Sequence, residues 1–580
     1  MDYQIKSQVR QNNNLFQRKF LEFLPIMTIS NLSTLFLLVT DDVVVANLVG
    51  EEGLSAVNIL NPFVQFVTVI VSIIAVGTSI TDTKYMGSLD EDSLGKSKRA
   101  SRLLMTVSFF IIAVVQIPIA FILMRFLNPS ANVAILTWHY TIGIMISLPV
   151  GLLTTVNTYE LQLIGKMKFL FFLSVLEGVS NIIFDLLFVG VFHMDTAGAG
   201  YGTAVAVILR AIVGLTYVYT KTDLHKNEKK GCNEQVKEII SSGFPAGMES
   251  LALALLGVFM NKTILYYYNE NGIALMSVLL GIKTFGLLMV NGIIASLHPL
   301  INIAKKAINV KYMRQLLRSA FITNAILVGI FVILCDVFPS LFFDLYGKIE
   351  DNASGQFALI IYIPVTLILG FIKIIRLYLS TEDSSKITST ITLVFESIVP
   401  VGIAFLIAST TDSEWVWSSY SIGYFLELLV LIYMYHRYVN KKEKNAPIDE
   451  LVLSLSPQNA TKASESAENY LLSHNVNISH ANFVAICIEE MSANAKLHHH
   501  KKLSFATDRP VEISIIIGIY PSYVQLTIVD DGEYVGLNEK KDIPHLITDS
   551  YDLVLKIADE INYEYILNLN LTKIKISLQN

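Results

Sequence analysis

Long apolar runs alternate with short polar connections through the first three quarters of the chain. Twelve of them reach the roughly 20 residues needed to cross a bilayer. They cover 20–48, 54–80, 103–127, 133–163, 169–193 and 200–220, then 240–267, 273–303, 319–345, 356–380, 387–409 and 415–436. The pattern predicts twelve transmembrane helices in two sets of six. A shift of 220 positions carries Pro25 to Pro245 and Thr78 to His298, and brings Gly53 close to Gly272, so the halves read as a repeat. Paired halves meeting around a midplane site are a transporter architecture.

Past HRYVNKKEKNAPIDE (436–450) the period shortens. ELVLSLS reads as a strand, 459–474 as a polar helix and 479–500 as an amphipathic helix. Strands follow at 511–519 and 523–530, then a helix near 549–561 and strands in NYEYIL and LTKIKISL. This predicts a small α/β sandwich of about 130 residues, an ordinary domain size. The division expected is a cytoplasmic N-terminal segment 1–19, a first six-helix lobe 20–220, a linker 221–239, a second lobe 240–438, a linker 439–449 and a domain 450–580.

Composition agrees with the pattern. Of 580 residues, 53% are hydrophobic and 16% charged, against roughly 25% charged in soluble proteins, and three cysteines exclude a disulfide framework. The net charge of −6 is split: 447–580 holds 18 acidic and 10 basic residues, or −8, leaving +2 on 1–446. The polar, basic start lacks the apolar core and cleavage site of a secretory signal, so the first span is expected to be retained. Cations fix the orientation. Lys96, Lys98, Arg99 and Arg102, then Lys166 and Lys168, Lys226, Lys229 and Lys230, a group from Lys305 to Arg318, and Lys386 all follow even-numbered spans. The odd-numbered connections have almost none, Lys348 excepted. Cytoplasmic loops retain cations, which puts both termini in the cytoplasm of a multi-pass plasma-membrane protein.

Ionisable groups inside spans are costly and point to function. The first span carries Asp41 and Asp42; the fifth carries Glu177, Asn181 and Asp185, four apart and therefore on one helical face. Two carboxylates and an amide opposed by an aspartate pair suit reversible binding of a proton or a sodium ion. The competing reading is helix-locking ion pairs with intramembrane cations. Those available are Arg210, Lys262, Lys283, Lys373 and Arg376, the last two expected to face Glu396. Lys262, Lys283, Arg376 and Glu396 are the second-lobe cavity candidates, and position 42 shifted by 220 is Lys262.

At these residues the chain resembles the multidrug and toxic compound extrusion (MATE) family, in its DinF-type branch. The pattern is carried by Asp42 eight residues before Gly50, LSAVNILNP (54–62), the glycine–basic turn in LQLIGKMKF (161–169), Asn181 and Asp185, and AGAGYGTAVAV (197–207). The resemblance implies two six-helix lobes around a cavity, and export of amphipathic compounds by alternating access in exchange for protons or sodium. It implies Asp42, Asn181 and Asp185 as the coupling group, with Asp41 and Glu177 as additional acids. Glu249, four residues after Pro245, does not stand where the NorM-type branch has its second-lobe acid.

The tail resembles the histidine-kinase-like ATPase superfamily, in its anti-sigma-factor serine-kinase form. Glu490, Asn494 and His498 fit its Glu-x-x-x-Asn-Ala…His helix, and Asp530 and Gly532 its Asp-x-Gly-x-Gly loop. This implies ATP with magnesium as a ligand. Tyr534 replaces the second glycine and SYDL (550–553) the glycine-rich lid, which argues against kinase or hydrolase turnover. The His498–His500 triplet does not share one helical face, so no metal site is expected.

The expected function is therefore a cation-coupled exporter whose partners are the bilayer and a small molecule, with a nucleotide-sensing or protein-docking tail and no nucleic-acid partner. Transport is expected to need no cofactor beyond proton or sodium. The alternatives are a lipid-linked sugar flippase of the same superfamily and a membrane receptor with an anti-sigma-like switch.

Overall fold

The computed structural model describes residues 15–87, 90–164, 166–222, 225, 228–306, 310–347, 349, 352–380, 385–411, 414–443, 449–455, 459–497, 513–530, 558–566 and 569–578. Helices α1 (Leu15–Leu48), α2 (Glu51–Gly87), α3 (Glu91–Leu127), α4 (Ala131–Leu163), α5 (Met167–Asp185) and α6 (Asp195–Lys221) form the first set. The second set is α7 (Asn233–Lys306), α8 (Val310–Val337), the short α9 (Pro339–Asp344), α10 (Ala353–Tyr362), α11 (Pro364–Ser380), α12 (Ser385–Leu393), α13 (Val399–Thr411) and α14 (Ser418–Glu443).

Among the described residues, ten segments are long and apolar enough to cross a membrane. One of them, Asn233–His298, is two rods joined at Asn269, whose φ of 58° breaks the helix. With α1, these helices coincide with the expected spans. The 220-residue shift also holds at the level of backbone: it carries α1 onto 235–268, the rod of α7 before Asn269, and the start of α2 onto 271, in the rod that runs from there to Lys306. The helices overrun the apolar runs at several ends, since α7 starts at Asn233 within the expected linker and α14 runs to Glu443. Hydropathy marks the part that meets lipid, whereas helical hydrogen bonding continues into polar turns.

The chain divides into two compact units: one consists of Pro25–Ala295 and Ala320–Tyr435, the other contains the C-terminal sheet. Within the first unit, α2 and the leading rod of α7 lie in backbone contact, because a Cβ at Gly243 would overlap the carbonyl of Ile73. Ser72 and Ser250 hydrogen-bond across this seam at 2.9 Å, and Asn261 donates to the carbonyl of Asn58 at 3.2 Å. Small residues allow close approach, and polar side chains satisfy one another where lipid offers no partner.

The tail is a two-layer α/β domain. Strands β1 (Asp449–Leu455), β2 (Ile513–Ile519), β3 (Tyr523–Asp530), β4 (Glu560–Ile566) and β5 (Leu569–Ser577) form an antiparallel sheet in the order β1-β2-β3-β5-β4. Helices α15 (Ala460–Ser473) and α16 (Ile478–Leu497) pack on it. Ile513, Ile515 and Ile517, spaced by two, meet Val484, Cys487 and Ile488, spaced at helical intervals. The expected helix 549–561 falls mostly outside the described residues, and its end is corrected: Glu560 and Ile561 belong to β4. The β-branched and aromatic run of β4 pairs with β5 in preference to extending a helix.

Candidate functional site

The fifth span places Glu177, Asn181 and Asp185 on one buried face, as the four-residue spacing requires. They do not act together. Glu177 is ion-paired with Arg210 of α6, which also donates to Thr158 at 2.8 Å. This arginine was among the cations expected to lock helices, and Glu177 is thereby taken out of the acidic group.

The other two residues meet α1, through Asp41. Oδ2 of Asp41 accepts from the hydroxyls of Tyr140 at 2.7 Å and Thr203 at 2.8 Å, and Oδ1 from the side-chain amide of Asn181 at 3.2 Å. The carboxyl of Asp185 lies against Asp41. Gly202 makes this possible, since any Cβ there would overlap the Asp185 carboxylate. The pairing expected for Asp42 is thus corrected. Neighbouring residues on a helix point about 100° apart, so only one of the two adjacent aspartates can face α5, and it is Asp41. Asp42 is half-buried and bears on Asp41 only through its charge.

The cluster has more acceptors than donors. Asn181 Oδ1 and both oxygens of Asp185 are buried without a hydrogen-bond partner. Every donor to Asp41 is neutral, and the nearby arginine is committed to Glu177. Directly after Asp185 the helix widens into a π turn, Leu186–Val191, and a second π turn, Val394–Ile398, contains Glu396. Such turns re-aim side chains and recur at functional positions.

In the second set, Arg376 is a hub. Its Nη2 lies 2.5 Å from Glu396 and 2.6 Å from Glu427, and Nη1 lies 3.7 Å from Glu249. Lys373, expected to face Glu396, sits instead 3.8 Å from Glu249 and donates to Asn291 at 3.4 Å; three positions along the helix from Arg376, it reaches a different partner. Lys283 is buried over the rings of Tyr362 and Tyr420, and Lys262 donates to the carbonyl of Leu127 at 3.2 Å. Glu427 went unnoticed in the sequence although it stands inside the last span, where the rule for intramembrane acids applies. Tyr140 and Thr203 carry no charge to betray them.

Lys98, used above as an orientation marker, is 1% exposed and lies 2.7 Å from Asp82 and 3.3 Å from Glu160. Ser97 donates to the same aspartate at 2.6 Å, and His225 of the connection after α6 lies 2.9 Å from Glu160.

In the tail, Asp530 Oδ1 accepts from the amide of Asn570, its β5 register partner, at 2.7 Å, and Tyr563 donates to Asn570 at 2.5 Å. Glu490 is half-buried on α16. The Asn494 side chain, His498 and Gly532 lie outside the described residues.

Residues 25–187 match the family model described as MatE. Solved structures agree over most of the body. An inward-facing multidrug resistance MATE family transporter superposes with a TM-score of 0.63 at 18% identity, covering 71% of this chain and 96% of that one. An outward-facing counterpart gives 0.61 at 17% identity, covering 74% and 97%. The body has the MATE transporter fold. Among curated relatives, a probable multidrug resistance protein NorM of Listeria monocytogenes is 22% identical over 282 residues, 45% of this chain and 62% of the relative. The multidrug export protein MepA of Staphylococcus aureus is 26% identical over 195 residues, covering 33% and 43%. The chain thus spans about three fifths of the Listeria relative it matches. All these matches describe a multi-pass membrane protein of MATE fold.

Proposed function

We propose that this chain is a cation-coupled exporter of amphipathic small molecules, in the plasma membrane with both termini cytoplasmic, working by alternating access. The names of the curated relatives, a multidrug resistance protein and a multidrug export protein, supply the cargo class.

One observation carries the coupling site: three buried acceptor oxygens on Asn181 and Asp185, beside the hydrogen-bonded carboxylate of Asp41, without a donor to satisfy them. A buried carboxylate lacking a donor or counter-charge is costly. A proton on Asp185 donates to Asp41 and removes that cost, and a sodium ion ligated by Asp41, Asp185 and Asn181 Oδ1 does the same. Arrival of the cation from outside favours cargo release, and its loss to the cytoplasm resets the lobe. The second-set cations Arg376 and Lys373 already lie beside glutamates, which speaks against the anionic cargo of a lipid-linked sugar flippase.

The test is drug efflux in everted vesicles under an imposed pH or sodium gradient. Asp185→Asn is expected to abolish gradient-driven transport while the protein remains in the membrane; full transport by this variant ends the proposal.

The same reading gives the tail a regulatory role, as a nucleotide sensor or a docking module for a regulatory protein. Titration of the full chain with labelled ATP and magnesium tests the first form, and absence of binding at millimolar nucleotide removes it.

A further inference from the structure

Lys262 is a second unusual charge in the membrane, and it differs from most of the others. Arg210, Arg376, Lys373 and Lys98 each have a carboxylate within 4.0 Å. Lys262 has none among the described residues; its ammonium donates to the backbone carbonyl of Leu127 and lies 5.6 Å from the ring of Phe126. Leu127 is the last residue of α3, at the end of that helix opposite its cation-rich start. One donor is therefore spent on a helix C-terminus, where a cation is favoured. Two remain without an anion.

The space beside it is an open groove. A groove of about 680 Å³ runs between the leading rod of α7 and the segment 397–405, and Lys262 is the charged side chain in its lining. Its walls are apolar and exposed: Phe259 is 47% exposed, Ile398 60% and Phe405 53%. Tyr266, 75% exposed, stands one turn beyond Lys262, toward the end of the span. Gly402 leaves the floor clear, as a Cβ there would meet no atom within 4 Å.

A cation set within an apolar trough, with Tyr266 one turn nearer the end of the span, is complementary to one class of molecule at hand in a membrane. We propose that this groove binds an anionic glycerophospholipid, its phosphate on the Lys262 ammonium and an acyl chain along Leu255, Phe259 and Ile398. A lysine in a span gains by reaching an interfacial phosphate, and a charge-assisted contact to a phosphate oxygen supplies the missing partner. The acyl chain covers apolar surface that the protein leaves open. The net charge on the lipid decides the match: a zwitterionic headgroup brings its own cation and competes with the lysine.

The experiment is native mass spectrometry of the full chain released from detergent micelles doped with phosphatidylglycerol or phosphatidylcholine. The expected result is a retained phosphatidylglycerol adduct, with affinity reduced about tenfold or more in Lys262→Gln and kept in Lys262→Arg. Gly402→Phe, which fills the groove and leaves the lysine intact, is expected to lose the same adduct, and millimolar inorganic phosphate is expected not to displace it. Unchanged adducts in both Lys262→Gln and Gly402→Phe overturn the proposal. So does equal retention of phosphatidylcholine, or displacement by free phosphate, which marks a simple anion site. If Lys262→Gln fails to fold, Gly402→Phe decides. The readout is bound lipid and does not depend on the exporter reading.

Discussion

Asn181 on α5 reaches Asp41 on α1 at 3.2 Å and leaves its own carbonyl oxygen buried without a partner. The amide therefore joins two helices and keeps a buried acceptor unused. Asn181 can donate to a charged Asp41 and can also contribute an oxygen to a bound cation. It follows that Asp41 matters more than its neighbour. Asp41→Asn should lower gradient-driven efflux by about tenfold or more, and Asp42→Asn by clearly less. Vesicle transport assays on matched membrane amounts measure both, and equal losses would refute the assignment of Asp41.

Much of this arrangement was legible beforehand. Span positions followed from hydropathy, the common face of Glu177, Asn181 and Asp185 from helical spacing, and the strands of the tail from their two-residue period. Which of Asp41 and Asp42 meets α5 was not legible, because it depends on helix rotation; spacing to Gly50 pointed to Asp42, whereas Asp41 is the one bonded to Asn181. Glu177 read as part of the site because its partner, Arg210, lies 33 positions away on another helix. Tyr140 and Thr203 act through hydroxyls that resemble any polar residue in a span.

Glu177 and Arg210 form a largely buried pair. Removing one partner of such a pair costs roughly 3–5 kcal/mol, whereas replacing both with apolar residues is often neutral. Glu177→Ala is therefore expected to lower the thermal midpoint in detergent markedly, and Glu177→Met with Arg210→Met to recover most of it. A double variant no more stable than the single one would mean that the pair does more than lock helices.

His474 supplies a pH dependence outside the membrane. Its Nδ1 faces the carbonyl of Tyr470 and its Nε2 the carboxylate of Asp449, both at 2.8 Å. Two acceptors favour the doubly protonated ring. Its pKa is raised above the ordinary 6.5, first by the Tyr470 carbonyl and then by Asp449. A raised folded value means that the stabilisation is complete below 6.5 and is lost as pH climbs through the raised value. Amide exchange in β1 and α15 of the full chain, corrected for intrinsic rates, should speed up as pH rises above 6.5. His474→Gln should flatten that dependence.

Cys487 is fully buried in the tail core, and burial pushes its thiol up to about 12. Since the thiolate is the reactive form, a maleimide should label the half-exposed Cys232 in the folded chain and reach Cys487 only when the tail opens. Rapid labelling of Cys487 under native conditions would show that the domain opens far more often than its packing implies.

Arg376 poses the sharpest energetic question in the second set. One nitrogen, Nη2, contacts both Glu396 and Glu427, and the other side of the fork faces Glu249. Glu427 is fully buried and its second oxygen lacks a donor. Three carboxylates thus gather around one guanidinium, and the cost of losing each member is unequal. Arg376→Gln leaves Glu396 and Glu427 without their arginine, while Glu249 keeps Lys373, and is expected to cost more than the roughly 3–5 kcal/mol of a single broken pair, which a thermal midpoint or the folded yield in detergent will register. Arg376→Lys keeps the charge without the planar fork and should recover only part of the loss. Glu427→Gln removes the acid with the unsatisfied oxygen while Glu396 keeps its partner, so it should be nearly neutral. The combination of Arg376→Gln with Glu427→Gln should then be less damaging than Arg376→Gln alone, a coupling that a double-mutant cycle reads directly. If Glu427→Gln proves as harmful as Arg376→Gln, the buried carboxylate is a required part of the hub, and the excess of acid there is offset by some group other than Arg376.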